Sequence, residues 1–332
     1  MGTPPAMDPR VVPTLVADIG GTNARFARLI HGELHAEAVL TCAHYPDVAA
    51  AVEHYLAGTP PPRPKVAAMA VATPVTDDWI QMTNHHWRFS VKALRRQLAL
   101  ERLLVLNDFT ALALAVPGLA RHHLVPVGGG AAVPGKAKAL LGPGTGLGVS
   151  GLLPAGGGWV PIEGEGGPVT YSPTTPRERT VVVALEAKRG HVSAEALLSG
   201  PGLVQLYHTL AQLEGQTPAA PEPAAVVQRA LDRSCPLCIE ALEIFCAALG
   251  TVAGNLALTL GARGGVYLGG GIVGRLIDVL PASAFRLRFE AKGRFQGYLA
   301  AIPCFVIQAP HPALAGAGAA LAVPGLGVDE GE

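Results

Sequence analysis

The residues best suited to chemistry in this sequence are Asn107 and Asp108, which follow an apolar run at residues 103–106. The run predicts a short buried strand that ends at this pair, and residues 109–116 predict the helix that follows. Ligands of open α/β sheets bind at the carboxyl ends of strands. Asp108 could therefore act as a base toward a substrate hydroxyl, as phosphoryl transfer to an alcohol requires, although both residue types also serve as plain helix caps.

Another acid, Asp18, stands two positions before a glycine pair in residues 15–30, LVADIGGTNARFARLI. Gly20 and Gly21 let a ligand approach the backbone closely, and the hydroxyl of Thr22 suits an anion. An acid beside an anion suggests a bridging metal ion. The stretch predicts either a phosphate-binding hairpin or an ordinary hairpin turn with a solvated aspartate.

A similar strand, glycine loop and strand recur at residues 138–153, where the loop GPGTGLG occupies positions 142–148. Sequence identity between the two stretches is slight, so the repeat is one of architecture. In residues 264–276, GGVYLGGGIVGRL, an apolar strand runs into three glycines and the start of a helix.

Two nucleotide-binding motifs match this sequence in residue spacing but not in their sequence context. Residues 130–136 fit GxxxxGK, but Ala137 stands where the metal-binding Ser or Thr belongs. Residues 146–151 fit GxGxxG, but they lead into another apolar strand instead of a helix. Neither a P-loop nor a dinucleotide fold is indicated.

Two further acids lie in the second half of the chain. Glu165 belongs to a glycine-rich loop, and Glu195 is predicted in the first turn of a helix capped by Ser193, where an acid is favoured in any case. Together with Asn107 and Asp108 these residues form a set of acceptors suited to a polyol, whose hydroxyl groups need hydrogen-bond partners.

The order of the predicted elements indicates an α/β protein with a mixed sheet. Strands are predicted near residues 14–19, 24–30, 36–42, 66–72, 103–106, 138–141, 149–153 and 305–307, and helices at 46–56, 90–100, 109–116, 312–321 and over most of 177–262. Pro117-Gly118 marks a natural boundary between two domains.

Composition narrows the classes of partner. The 332 residues are 49% hydrophobic and 15% charged, with 25 basic and 25 acidic side chains, so no net field attracts nucleic acid or an acidic membrane. A basic cluster of Arg286, Arg288, Lys292 and Arg294 is interrupted by Glu290 and predicts a solvated helix face. We expect neither nucleic acid nor a membrane as a partner.

A few stretches of the sequence bear on where the protein is located in the cell and on the role of its cysteines. Residues 244–262 carry no charge but include Thr, Asn and Gly, which favours a buried helix over a membrane span. The opening residues resemble no targeting peptide. Cys235 and Cys238 have metal-like spacing without a second pair, so we interpret them as structural thiols in a reduced, cytoplasmic protein.

Taken in order, the motifs resemble the bacterial glucokinases of the hexokinase, actin and chaperone-ATPase superfamily along nearly the whole chain. The motifs are ADIGGTNARFA at 17–27, MTNHHWRFS at 82–90, LNDFTALALAVP at 106–117, GPGTGLGV at 142–149, EGEGGPVTY at 163–171, HVSAEALLSGPGLVQLY at 191–207, GGVYLGGGIVGR at 264–275 and FEAKGRFQGYLAAIP at 289–303.

This resemblance implies a two-domain ribonuclease-H-like (actin-like ATPase) α/β fold with mixed sheets and a central cleft. A small α/β domain would comprise residues 1–117 and 309–332, and a large α/β domain with helical insertions residues 118–308. The domains would close on glucose and ATP, with Mg²⁺ as cofactor. We also keep a homodimer as a hypothesis.

The resemblance also implies roles for single residues. Asp108 would be the catalytic base on the glucose 6-hydroxyl, and sugar hydroxyls would bind Asn107, Asp108, Glu165 and Glu195. Asp18 would orient a hydrated Mg²⁺. ATP would be held by Ala17, Asp18, Ile19, Gly20, Gly21 and Thr22, by the second phosphate loop of Gly144, Thr145 and Gly146, and near adenosine by Gly269, Gly270 and Gly271.

Three positions depart from the family pattern. Pro168 stands where the family has a sugar-binding histidine, and a lost buried hydrogen-bond partner costs about 1–3 kcal/mol. This departure predicts weaker glucose affinity or an altered hexose preference. Asp77 replaces a usual glycine, and Pro143 removes one N–H from the second phosphate loop.

Two alternatives to an ATP:glucose phosphotransferase are open. A sugar- or nucleotide-binding regulator with impaired turnover would be supported by Pro168, and it predicts ligand binding without phosphate transfer. A nicotinamide oxidoreductase would depend on residues 146–151 alone and predicts dinucleotide binding.

Overall fold

The computed structural model describes residues 12–83, 85–218 and 221–331. The chain folds into two compact units. The first contains residues up to Leu119, the segment Gly158–Glu163 and the stretch from Ala309 onward, and the second contains Ala120–Gly157 and Gly164–Gln308. The chain therefore passes between the units four times. The domain limits inferred from the sequence, 1–117 with 309–332 and 118–308, remain a prediction.

The strands, in chain order, are β1 (Thr14–Ile19), β2 (Asn23–Ile30), β3 (Glu33–Thr41), β4 (Val66–Val71), β5 (Trp79–Gln81), β6 (Arg88–Ser90), β7 (Arg102–Asn107), β8 (Leu124–Pro126), β9 (Lys138–Pro143), β10 (Leu147–Ala155), β11 (Gly158–Ile162), β12 (Val266–Leu268), β13 (Cys304–Ile307) and β14 (Val328–Glu330).

The α-helices are α1 (Val48–Ala57), α2 (Val91–Gln97), α3 (Asp108–Ala115), α4 (Pro176–Arg189), α5 (Gly200–Leu213), α6 (Pro223–Leu231), α7 (Pro236–Leu260), α8 (Gly271–Arg275), α9 (Phe285–Glu290), α10 (Gln296–Ala300) and α11 (Pro312–Ala320). Short 3₁₀ turns connect several of them.

The sheet of the first unit has the strand order β14-β7-β4-β1-β2-β3. Strands β1, β4 and β7 run parallel, and β2, β3 and β14 are antiparallel to their neighbours. The predicted mixed sheet is confirmed. Strand β3 begins three residues before its predicted start, because the β2–β3 connection is a tight turn at His31-Gly32 with positive φ at both residues.

Both faces of this sheet are covered by helices. One side of β1 places Leu15, Ala17 and Ile19 in a core with α1 and α2, and Val16 on the other side packs with Leu314 of α11. Side chains alternate along a strand, so Asp18 faces the same side as Val16. Helices α3 and α11 pack closely on that side, because Gly316 leaves room for the backbone of Ala111.

The second unit is built around a sheet in which five strands lie in the order β10-β9-β12-β13-β8. Its largest core cluster includes the buried face of α7. Helix α7 is long and apolar enough to cross a membrane, but 72% of its apolar window is buried inside the protein. The predicted buried helix is thus confirmed, and it extends from Pro236 to Leu260.

Candidate functional site

The first unit gathers its candidate residues at one edge of the sheet. Ile19 is in register with Val71, and Val71 is in register with Asn107 across the parallel strands. The carboxyl ends of β1, β4 and β7 therefore meet at the same edge, where the sequence analysis expected a ligand. Asp18 is the next-to-last residue of β1, and Asp108 directly follows β7.

The β1–β2 hairpin has a short turn that contains Gly20, Gly21 and Thr22. The backbone N–H of Gly20 donates to the carbonyl oxygen of Asn23 at 3.0 Å, and the N–H of Cys42 donates to the carbonyl oxygen of Thr22 at 2.9 Å. The carbonyl oxygen of Gly20 accepts from the Cys42 thiol at 3.6 Å. These contacts fix the backbone of the turn on its carbonyl side.

Asp18 is paired with Arg25, a residue that the sequence analysis missed. The two residues lie directly opposite in the β1–β2 register, and Nη1 of Arg25 donates to Oδ2 of Asp18 at 3.1 Å. Burial raises the pKa of Asp18 above its usual value, while Arg25 and His311 oppose that rise. The signal was available, because a short hairpin turn sets which residues face each other across the strands.

Asn107 has the capping role that its residue type suggested. Its Oδ1 accepts from the backbone N–H groups of Phe109 and Thr110 at 2.8 and 3.2 Å, and its Nδ2 donates to the carbonyl oxygen of Thr73 at 3.3 Å. The cap determines where α3 begins. As a result Asp108, the first residue of α3, is half-buried at the sheet edge, and its Oδ1 accepts from the N–H of Phe109 at 2.9 Å.

Thr73 is a second residue that the sequence analysis did not single out. It is buried, and its hydroxyl donates to the carbonyl oxygen of Gln81 and lies 2.9 Å from the hydroxyl of Thr83. Through its own carbonyl oxygen it holds the Asn107 side chain. No pattern in the sequence marks a threonine that acts through its backbone.

In the second unit, Glu195 supports the loop between β9 and β10. Its Oε2 accepts from the backbone N–H of Leu147 at 2.8 Å, and its own N–H donates to the carbonyl oxygen of Gly167 at 2.9 Å. A Cβ at Gly146 would lie 2.5 Å from Oε2 of Glu195, so the glycine allows this close approach.

The predicted helix around Glu195 is wrong. Glu195 lies in a turn, and α5 begins only at Gly200 with Ser199 as its cap. Ser193 does accept from the N–H of Ala196 at 3.1 Å, but this contact closes a local turn that does not continue as a helix. Gly200 donates to the carbonyl oxygen of Gly144 at 2.8 Å, so the start of α5 is joined to the second glycine loop.

Glu165 is electrostatically coupled to Glu195. Burial, and then the charge of Glu195, raise the pKa of Glu165 above its usual value. Glu195 also lines a cavity of about 180 Å³ whose wall includes Thr145, Ser193 and Ser199. Two of the predicted sugar acceptors and the second glycine loop thus lie together in this unit.

The third glycine segment lies beside the second. The N–H of Gly269 donates to the carbonyl oxygen of Leu141 at 3.0 Å, and a Cβ on Gly270 would lie only 2.4 Å from the carbonyl oxygen of Pro143. Gly270 has φ of 88°, which glycine adopts without strain. Gly269–Gly271 and Gly144–Gly146 are therefore neighbours at the ends of β12 and β9. The GxGxxG match at 146–151 lies in a strand–turn–strand, as expected, and not at a helix start.

The described residues contain no group of three or more His, Cys, Asp or Glu side chains that could hold a metal ion. A divalent cation would therefore need ligands from a bound phosphate or from water. Asp18 fits such a site, because Mg²⁺ commonly keeps several waters and uses one or two carboxylates together with substrate phosphates.

Of the four residues in the basic cluster only Arg294 is exposed, so the predicted solvated face is wrong for Arg286, Arg288 and Lys292. Arg288 donates to both carboxylate oxygens of Glu178 at 2.7 and 3.2 Å, and Arg286 donates to backbone carbonyls that include Ile302. Nζ of Lys292 donates to the carbonyl oxygen of Thr251. These cations bind partners inside the second unit. Sequence alone could not show this, because the partners are distant along the chain.

Comparison with known proteins gives consistent results. A sequence model of the family described as Glucokinase matches residues 15–323. The glucokinase of Aromatoleum aromaticum is 52% identical over 317 residues, which cover 93% of this chain and 94% of the relative. That of Neisseria gonorrhoeae is 51% identical over 310 residues, with 93% and 94% coverage.

A solved structure is also similar. The crystal structure of glucokinase from an Antarctic psychrotroph superimposes with a TM-score of 0.84 at 34% identity, covering 93% of this chain and 98% of the other. The likeness confirms the expected fold class, an actin-like α/β fold of two domains with mixed sheets. It also confirms the resemblance that the sequence motifs indicated.

Proposed function

This chain belongs to the glucokinase family, and from that premise we propose how its residues divide the work. The reaction is the ATP-dependent phosphorylation of glucose to glucose 6-phosphate, the first step of glycolysis. The observation that best supports the residue roles is the register that brings Asp18, Asn107 and Asp108 to one sheet edge.

Asp108 is the general base of this proposal. Its carboxylate accepts the proton of the glucose 6-hydroxyl as the oxygen attacks the γ-phosphorus of ATP. The Asn107 cap and the N–H of Phe109 limit the rotation of the Asp108 side chain. Orientation of this kind lowers the barrier because the reacting groups are already aligned when substrate binds.

Sugar binding is assigned to three further side chains, each through an atom that the fold leaves available. Oδ1 of Asn107 already accepts two backbone N–H groups and Nδ2 donates one hydrogen to Thr73, so the second hydrogen of Nδ2 is the one that contacts the sugar. Oε2 of Glu195 accepts from Leu147, which leaves Oε1 for a sugar hydroxyl. Glu165 supplies a second carboxylate, and sugar hydroxyls suit this pair because they are donors.

ATP is assigned to the three glycine segments. The turn at Gly20–Thr22 and the loop at Gly144–Gly146 bind phosphates through backbone N–H groups other than those of Gly20 and Gly144, which donate to backbone carbonyls, and Gly269–Gly271 borders the adenosine. Mg²⁺ bound together with ATP would supply positive charge against the transferring phosphoryl group. Asp18, whose carboxylate is held by Arg25, would be the side chain that holds this ion, through water.

A direct assay tests the activity. Purified protein is incubated with MgATP, with and without glucose, and both ADP and glucose 6-phosphate are measured. We expect equal amounts of the two products, formed only when glucose is present. Glucose binding without product formation would overturn the phosphotransferase and support the regulator.

Pro168 is proposed to weaken glucose binding relative to a histidine at the same position. It lies in an exposed turn next to Gly167, whose carbonyl oxygen accepts from Glu195. Position 168 thus adjoins one of the proposed sugar acceptors. We expect Pro168→His to lower the KM for glucose by up to about tenfold, because one added hydrogen bond contributes about 0.5–1.5 kcal/mol.

The same variant tests hexose preference. Glucose, mannose, fructose and N-acetylglucosamine are compared as substrates of the wild type and of Pro168→His. A gain confined to glucose supports the proposed role of position 168. An equal change for all four sugars, or no change, would contradict it.

A further inference from the structure

Cys235 and Cys238 lie at the start of α7. They are far along the chain from every residue that was assigned a role above. Cys235 is the N-cap residue of α7, Pro236 is its first helical residue, and Cys238 is in the first turn. The function proposed above makes no use of either thiol.

Cys235 and Cys238 are hydrogen-bonded to each other. The backbone N–H of Cys238 donates to Sγ of Cys235 at 3.3 Å. The thiol of Cys238 is also hydrogen-bonded with the Cys235 side chain. Cys235 thus occupies the capping position that serine commonly takes, and the cap contact brings its sulfur close to the thiol three residues later.

The environments of the two thiols are unequal. Cys235 is half-exposed, while Cys238 is fully buried. Burial and the neighbouring Cys235 raise the pKa of Cys238 to about 12. The raised pKa and the burial make Cys238 unreactive toward disulfides in solution, so the half-exposed thiol of Cys235 is the one that a small disulfide can reach, and Cys238 is close enough to attack the mixed disulfide afterwards.

Two cysteines separated by two residues also occur in metal-binding sites. Within residues 12–83, 85–218 and 221–331 no third His, Cys, Asp or Glu completes a ligand group with the pair. Structural zinc sites in proteins use four ligands, so two thiols alone do not fit one.

We propose that Cys235 and Cys238 form a reversible dithiol–disulfide site that exchanges with low-molecular-weight disulfides such as oxidised glutathione. The sulfur of Cys235 attacks one sulfur of the small disulfide, and the proton of Cys235 goes to the departing sulfur, which leaves as the first thiol. The sulfur of Cys238 then attacks Cys235 in the mixed disulfide, and the proton of Cys238 goes to the departing sulfur, which leaves as the second thiol. The two protein thiols are oxidised, and one small disulfide is reduced to two thiols.

Intact-mass spectrometry of the full chain tests this. Reduced protein is treated with oxidised glutathione, quenched with acid and weighed. We expect the wild type to lose two hydrogen atoms and to keep no adduct, and peptide mapping to place the new bond between Cys235 and Cys238. A lasting glutathione adduct on the wild type, or a bond elsewhere, would overturn the proposal.

Single variants separate the two roles. Cys238→Ala should trap one glutathione on Cys235, because the resolving thiol is gone. Cys235→Ser keeps a capping oxygen and should not react, because Cys238 and the other three cysteines are buried. Circular dichroism establishes that each variant is folded. Equal reaction of both variants would contradict the assigned roles, and none of these readouts depends on glucose phosphorylation.

Discussion

The carboxylate of Glu195 accepts a hydrogen bond from the backbone N–H of Leu147, with 2.8 Å between N and Oε2. This contact joins a proposed sugar acceptor to the strand that follows the second glycine loop. One oxygen of the carboxylate thus stabilises the loop, and under the proposed function the other would accept from a sugar hydroxyl. Sugar binding and order in the loop would then be coupled through one side chain.

Glu195→Gln should raise the KM for glucose by about tenfold or more, because a hydrogen bond to a charged group contributes about 1.5–3 kcal/mol. The glutamine carbonyl can still accept from Leu147, so the melting temperature should change little. Glu186→Gln, an exposed glutamate of α4, is the matched control and should behave as the wild type. An unchanged KM in Glu195→Gln would remove it from the sugar site.

The same variant should alter the pH dependence of glucose binding. Burial and the charge of Glu195 raise the pKa of Glu165, so in the wild type this carboxylate gains its proton at a higher pH than an ordinary glutamate. Glucose affinity should therefore weaken as pH falls through that raised pKa. In Glu195→Gln one of the two causes is absent, and the transition should move to lower pH. Titration of glucose Kd across the acid range measures the shift.

Arg25→Met should move the acid limb of kcat/KM for MgATP to higher pH. Burial already raises the pKa of Asp18, and Arg25 opposes that rise across the hairpin. Without the guanidinium, Asp18 would keep its proton to a higher pH and could not orient a hydrated cation there. Arg25→Lys retains the positive charge and should lie nearer the wild type. An acid limb that does not move would show that Asp18 is not the titrating group.

Gly316→Ala should destabilise the first unit by about 1–3 kcal/mol, the usual cost of overpacking. A Cβ at this position would lie 1.7 Å from the carbonyl oxygen of Ala111, so α3 and α11 must move apart. Because α3 begins at Asp108, kcat should fall as well. Gly297→Ala in α10 meets nothing within 4 Å and serves as the control. Urea unfolding of both variants, with kcat measured alongside, decides whether the close helix approach is needed.

Arg288→Met should reduce the free energy of unfolding by about 3–5 kcal/mol, because it leaves the buried carboxylate of Glu178 without its cation. Burial alone would raise the pKa of Glu178, but its hydrogen bonds with Arg288 and Thr174 hold it below the usual value. The stabilisation is therefore present above the unfolded pKa and lost as pH falls through the folded pKa.

The matched control for this pair is Lys65→Met. Lys65 and Glu101 form an exposed ion pair, whose loss should cost no more than about 1 kcal/mol. Urea denaturation at neutral and acid pH should show the difference between Arg288→Met and wild type shrinking as the pH falls. If both variants lost the same free energy of unfolding, the buried Arg288–Glu178 pair would contribute no more to stability than the exposed pair.

The sequence was sufficient wherever the signal was local. Apolar runs and turn residues located the longer strands but not β5, β6, β8, β11 or β14, and the cap that Asn107 forms had been considered as the alternative to a binding role. It was insufficient where a structure depends on distant partners. The turn at Glu195 is held by Gly167 and Leu147, and the buried cation of Arg288 is paired with Glu178, more than a hundred positions earlier. Local propensity favoured a helix and a solvated face at these two places, and tertiary contacts overrode it.

The most direct test of the central claim is the turnover of Asp108→Asn with MgATP and glucose. The substitution retains the shape and the capping contact but removes the base. We expect kcat to fall by about 10²–10⁴, with glucose Kd changed only slightly. Asp47→Asn, which alters the exposed cap of α1, should retain wild-type turnover. If Asp108→Asn turns over within a few-fold of the wild type, Asp108 is not the base and the proposed mechanism is wrong.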